Sequence, residues 1–141
     1  STEVDGPYPL RILIVDNHPV NQKLLMWIVD SEKRAHCDLA NDGSHACECV
    51  NACEYDLVLM DINMPIMTGI EAALQIRKDE QVGKVGTFAD RLPIVGMTAQ
   101  KIKYTEAEYT AMGMDDFLDW PIEGKSVNKK IDYFLNLIAS E

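Results

Sequence analysis

Four polar groups in this chain stand just past the end of a short apolar run. Asp16 and Asn17 follow residues 10–15 (LRILIV), Asp61 follows 57–60 (LVLM) and Thr98 follows 93–97 (PIVGM). Trp120 closes a weaker fifth run, Phe117-Leu118. If the runs are parallel strands, their carboxyl ends line one crevice, which is where open parallel sheets bind ligands. Oxygen ligands with few cationic neighbours suit Mg²⁺, and Mg²⁺ in turn favours phosphate oxygens. A carboxylate held beside that cation can attack phosphorus and become an aspartyl phosphate. A lone Asp after a strand reads as well as a turn cap; four polar groups converging on one crevice do not.

The elements that would position these groups follow in order along the chain. Pro19 suits the first turn of a helix, and Val20, Leu24, Trp27 and Ile28 recur at helical spacing, with Trp27 expected in packing. Residues 37–40 read as a second strand closed by Asn41-Asp42-Gly43, a turn signal, and a helix runs on to about Ala52. After Asp61 comes a loop, 63–69, then a helix over 70–77. The polar stretch 78–91, with Gly83 and Gly86, reads as a helix tail plus a mobile insertion. A helix over 104–112 is stopped by Gly113 as C-cap. Val127, Ile131, Phe134, Leu135 and Ile138 define an amphipathic last helix. Strand and helix alternate five times, and the strands are continuous apolar runs, as in a parallel sheet buried on both faces. The expected fold is α/β: a doubly wound five-stranded sheet, (βα)5, in three layers. Residues 1–9 (STEVDGPYP) read as a linker or arm and 10–141 as the domain.

With 141 residues, 47% of them apolar and 26% charged, the chain has material for one packed domain and not for two. Its 13 basic and 23 acidic residues give a formal charge of −10. Such a surface repels a phosphate backbone, which argues against nucleic acid as a partner. No apolar run approaches the ~20 residues of a membrane span, and no signal peptide opens the chain. Because Ser1 is not Met, a fragment of a longer protein is expected. Cys47, Cys49 and Cys53 share a helix with His45, and the spacing of four allows a metal clip. Without C-x-x-C pairs, these thiols and Cys37 read instead as small hydrophobes, reduced, in a cytoplasmic setting.

Five stretches in order, RILIVDNHPVNQ, NDGSHA, YDLVLMDINMPIMTGIEA, LPIVGMTA and GMDDFLDWPI, resemble the CheY-like receiver domain of two-component response regulators. The wording is most like that of receivers attached to hybrid sensor histidine kinases. The resemblance spans nearly the whole chain and implies a flavodoxin-like fold in a phosphorelay. Asp61 matches the family's phosphoacceptor. Asp16 and Asn17 match its acidic pair, and Asn63 the residue whose backbone carbonyl binds Mg²⁺. Thr98 matches the switch hydroxyl, Ala99 the small residue beside it, and Phe117 the aromatic that changes rotamer as the hydroxyl moves. The implied partner is a histidine kinase or a histidine phosphotransfer protein, and the implied role is signalling, not catalysis.

Two positions depart from the family. Asn17 stands where a second acid is usual, and Trp120, before Pro121, stands where a lysine is usual. The usual site carries three carboxylates and a lysine, net −2; two carboxylates and no lysine also give −2, so the two losses cancel. Mg²⁺ should bind weakly, since a neutral amide replaces a charged ligand, and an indole offers one uncharged donor where a cation is usual. The alternative to a phosphoacceptor is a pseudo-receiver, a protein-binding module that works without phosphorylation. A flavin protein on the same fold would need a hydroxyl-rich loop where Asp16-Asn17-His18-Pro19 stands. Trp120 is expected to cover Asp61 or to fill the lysine's space, with a cis bond before Pro121. His18 reads as a solvated loop residue, and Thr68, in place of the usual Asp, as of little consequence.

Overall fold

The computed structural model describes residues 10–30, 35–85, 91–100 and 103–139, with side chains to Phe134. Strand and helix alternate as the sequence suggests: β1 (Leu10–Val15), α1 (Pro19–Asp30), β2 (Ala35–Ala40), α2 (Gly43–Ala52), β3 (Leu57–Asp61), α3 (Gly69–Gln81), β4 (Ile94–Thr98), α4 (Glu106–Ala111), β5 (Asp116–Asp119) and α5 (Gly124–Ala139). The strands pair in parallel in the order β2-β1-β3-β4-β5. Successive strand residues point to opposite faces, so one run feeds two cores. Ile12, Ile14, Leu57 and Leu59 pack under α1 and α5 with Leu25, Ile28, Val127 and Ile131. Leu13, Val15, Val58 and Met60 pack under α2 and α3 with Val50, Ala72 and Ile76. The three-layer, doubly wound α/β architecture is thus the expected one.

Differences lie at edges and on one helix face. Trp27, expected in packing, is 70% exposed. Helix α1 carries two apolar stripes, and the sheet takes Leu25, Ile28 and Val29, leaving Val20, Leu24 and Trp27 outside. Strand β2 begins at Ala35, two residues early, because pairing with β1 extends to Leu10↔Ala35. Thr68 is a helix N-cap and not an inconsequential loop residue: its hydroxyl accepts from Glu71 N–H and the Glu71 carboxylate accepts from Thr68 N–H. That capping box starts α3 at Gly69, and the helix continues to Gln81, taking in part of the expected insertion; residues 86–90 lie outside those described. Helix α4 is shorter than expected, fixed by a second capping box, Thr105–Glu108, with Gly113 at φ 78 just past its C-cap Met112. The arm 1–9 also lies outside the described residues.

The amino ends of β4 and β5 are tied to α3 by one side chain. Arg77 donates to Asp115 (2.7 Å), Glu80 (2.9 Å), the Leu92 carbonyl (2.7 Å) and the Gly113 carbonyl (3.0 Å). Asp115 also accepts from Ile94 N–H (2.8 Å) and from Arg91 (2.8 Å). The Arg77 and Glu80 side chains are only 11% and 10% exposed, so their charges are paired largely out of water.

Candidate functional site

The site forms at the opposite, carboxyl ends of the strands. Register places its members: Val15 pairs with Met60 and Asp61 with Met97, so Asp16, Asp61 and Thr98 end adjacent strands. Asp16 is fully buried. Its carboxylate accepts from His18 N–H (2.8 Å) and Asn21 Nδ2 (3.3 Å). Gln22 Nε2 donates to the Asp16 carbonyl (2.5 Å) and to Asn41 Oδ1 (2.9 Å). The first turn of α1 therefore locks the loop that carries Asp16 and Asn17. His18 itself is exposed, as a solvated loop residue should be.

Asp61, the last residue of β3, is 7% exposed. Its Oδ1 accepts from Asn63 N–H (3.0 Å), and Oδ2 has no protein donor among the described residues. Burial pushes its pKa up from 3.8 to about 6; the Asn63 N–H opposes this, the Asp16 charge adds to it and His18 opposes it. The loop after Asp61 returns at once, with Gly69 N–H on the Ile62 carbonyl (2.9 Å). A Cβ on Gly69 would lie 2.1 Å from the Asp61 carbonyl oxygen, so only glycine lets α3 begin that close. Within the loop Ile66 holds φ at 69°, a left-handed backbone that a β-branched residue rarely adopts.

Thr98 is buried at the end of β4, its hydroxyl accepting from Gln100 N–H (3.1 Å), with Ala99 exposed beside it. Phe117 lies across Gly96, where a Cβ would meet the ring at 2.6 Å, and its ring centroid is 5.0 Å from Tyr104 and 5.9 Å from Tyr109. It thus sits one step back from the crevice, in an aromatic group beside α4. Trp120 is tied to the site by its backbone, N–H to the Thr98 carbonyl at 2.8 Å, while its half-buried indole packs against the α1/α5 core. The bond to Pro121 is cis.

Asn17 Oδ1 is buried with no hydrogen-bond partner. A buried, unpaired amide oxygen next to two carboxylates is costly unless something electropositive meets it, and hard divalent cations take such oxygen sets. Among the described residues no group of three or more His, Cys, Asp and Glu is arranged to hold a metal. A cation here would therefore draw on the amide and on backbone as well as the two carboxylates. The cysteines pack as small hydrophobes against the cores. Burial pushes the Cys37 thiol up to about 12 and the Cys47 thiol up to about 11, and all four cysteines are free.

Asn21, Gln22 and Gln100, which hold the site loops, were not singled out from sequence. Their signal was a polar pair in the first turn of an otherwise apolar helix, and an amide just past a strand end.

Residues 12–132 match the response regulator receiver domain family. The chain belongs to that family. Histidine kinase 5 of Arabidopsis thaliana is 28% identical over 155 aligned residues, which cover 96% of this chain and 17% of that protein. The receiver therefore spans a small part of such a relative. Among solved structures it is similar to the receiver domain of sensor histidine kinase PA1611 from Pseudomonas aeruginosa PAO1, with TM-score 0.75, 25% identity and coverage of 92% of this chain and 99% of that one. That structure holds a magnesium ion coordinated in the active-site cleft. It is similar as well to the receiver domain of the Saccharomyces cerevisiae response regulator Ssk1, solved with the histidine phosphotransfer protein Ypd1 (TM-score 0.76, 30% identity, 87% of this chain and 86% of that one). The receiver is thus a CheY-like module of two-component phosphorelay signalling. None of its described helices is long and apolar enough to cross a membrane.

Proposed function

We propose that this receiver takes a phosphoryl group on Asp61 Oδ2, with a weakly held Mg²⁺, and that Thr98, Ala99 and Phe117 pass the change to the α4–β5–α5 face. The observation that carries the reading is the crevice itself: a buried Asp61 with one oxygen fixed by Asn63 N–H, beside the locked carboxylate of Asp16 and the unpaired Asn17 Oδ1. Asp16, Asn17, Asp61 and the Asn63 carbonyl would hold the cation, which supplies charge to offset the phosphoryl oxygens. Asp61 Oδ2 attacks phosphorus, an O–P bond forms, and the P–N bond to the donor imidazole breaks. The Asn63 N–H holds Oδ1 so that the attack comes from one oxygen. Thr98 releases Gln100 N–H to turn toward the new phosphoryl group.

The donor is a histidine kinase or a histidine phosphotransfer protein. A partner that brings a phosphohistidine to Asp61 must cover the crevice mouth, and the first turn of α1, with Val20 77% exposed, gives it apolar footing beside the loop that carries Asp16. Residues 10–141 make up the domain and 1–9 an arm. The parent chain is a hybrid kinase or regulator that presents this domain to the cytoplasm, where its thiols stay reduced.

The test is incubation with Mg²⁺ and a small-molecule phosphodonor, read by intact-mass spectrometry, with Asp61→Asn and a metal-free sample alongside. One added phosphoryl group, lost in both controls, is expected. No gain at high donor and metal would overturn the reading and leave a pseudo-receiver that binds its partner unphosphorylated.

A further inference from the structure

The segments that follow Asp16 and Asp61 carry no charged side chain. Residues 17–22 (NHPVNQ) and 62–70 (INMPIMTGI) contain no Asp, Glu, Lys or Arg, in a chain with 13 basic and 23 acidic residues. Because β1 pairs with β3, the two segments are neighbours at the carboxyl edge of the sheet. Each holds up one large aliphatic side chain: Val20 is 77% exposed and Ile66 90%. A single exposed apolar side chain is ordinary; what distinguishes Ile66 is the backbone that presents it. Met67 N–H donates to the Pro65 carbonyl at 2.7 Å, across Ile66 at φ 69. That is a γ-turn with its central residue left-handed, the rare and strained form, and a β-branched side chain suits it badly. The turn is clamped from both sides. Before it, Met64 is buried in the core under α2 and α3. After it, Met67 lies so close to Gly43 that a Cβ there would meet the Met67 carbonyl oxygen at 2.8 Å and its Cγ at 2.9 Å. Held in this way, Ile66 is lifted into solvent, where its side chain does little for the fold. Strain kept in place by its surroundings, on the loop that leaves a reactive carboxylate, points to a role outside the fold.

Resting on the phosphoacceptor role of Asp61, we propose that Ile66, together with Val20, is an apolar anchor for a histidine phosphotransfer protein, and that Ile66 seats in an aliphatic patch beside the phosphohistidine. A phosphohistidine brings negative charge to a crevice that already holds two carboxylates, and acids on the rim would repel it further. The uncharged rim adds no repulsion, so apolar contact supplies the hold on the partner. Ile66 then sets affinity for that partner and takes no part in the chemistry at Asp61.

The test compares the 141-residue chain with Ile66→Gly and Ile66→Asn, each loaded in Mg²⁺ by a small-molecule phosphodonor or by phosphorylated Ypd1 of Saccharomyces cerevisiae. Gly and Asn both accept the left-handed backbone, and both remove the aliphatic contact. Transfer from Ypd1 at limiting protein should fall about tenfold in each variant, the low end for losing a buried aliphatic side chain, and should recover at saturating concentration. Loading by the small donor, which involves no docking, should be level across the three chains. Transfer from Ypd1 unchanged in both variants would overturn the proposal. So would equal losses with both donors, which would place the effect at Asp61, and so would an unaltered chain that is loaded by the small donor but not by Ypd1. An unaltered chain loaded by neither donor would sink the phosphoacceptor role itself, and the docking proposal with it.

Discussion

Ionised Asp61 is a burden on the fold, and replacing it should show by how much. Burial raises its pKa from 3.8 to about 6, so the folded state binds the proton more tightly than the unfolded chain does. Stability from this group is therefore fully present below about pH 4, declines as pH rises through about 6, and is gone at neutrality. At about 1.4 kcal/mol per tenfold change in proton affinity the penalty is about 3 kcal/mol, and solvent at the crevice mouth trims it to about 2. Asp61→Asn removes the charge and keeps an oxygen for Asn63 N–H. In urea titrations with EDTA at pH 7 the variant should be more stable by about 2 kcal/mol, and the gap should close toward pH 4. Mg²⁺ should narrow it at pH 7 as well, by about 1.4 kcal/mol at ten times the dissociation constant, because the cation binds the folded parent better than the variant. A variant no more stable than its parent at pH 7, or a gap that does not depend on pH, would refute the reasoning.

Three further substitutions test the scaffold. Arg77→Met strips a largely buried cation from Asp115 and Glu80 and should cost about 3–5 kcal/mol, with little relief from salt, by denaturant titration. Thr68→Ala should cost about 1 kcal/mol by loss of the α3 cap, and Thr68→Asp should be close to neutral. Ile66→Gly should gain about 1 kcal/mol in thermal or urea unfolding, since Ile66 is 90% exposed and its left-handed backbone suits glycine.

The five strands, their layering and the convergence of Asp16, Asp61 and Thr98 were legible because apolar runs and their polar ends are local signals with a fixed geometric meaning, whereas the order β2-β1-β3-β4-β5 comes from the structure. Helix α1 shows the limit of that method. Its residues offer two apolar stripes one position apart, and only contact with the sheet chooses Leu25, Ile28 and Val29 over Val20, Leu24 and Trp27. Thr68 was misread because a cap depends on where the helix starts, and α3 starts one residue earlier than its apolar spacing suggests. Trp120 was expected to cover Asp61 or to occupy the lysine's space; its half-buried indole packs against the α1/α5 core, contacts set by residues far away in sequence.

Arg77 and Asp115 give the right half of the sheet a mechanical character. Strands β4 and β5 are anchored at Ile94 and Asp115, while Thr98 and Trp120 stand at their far ends, joined to each other by one backbone hydrogen bond. A reed clamped at its base deflects most at its tip. A load applied at Thr98 would therefore meet a stiff base at Ile94 and Asp115. Short, capped at both ends and with no buried residue, α4 is the element held most lightly against that lever, the first that such a load would shift before the sheet bends.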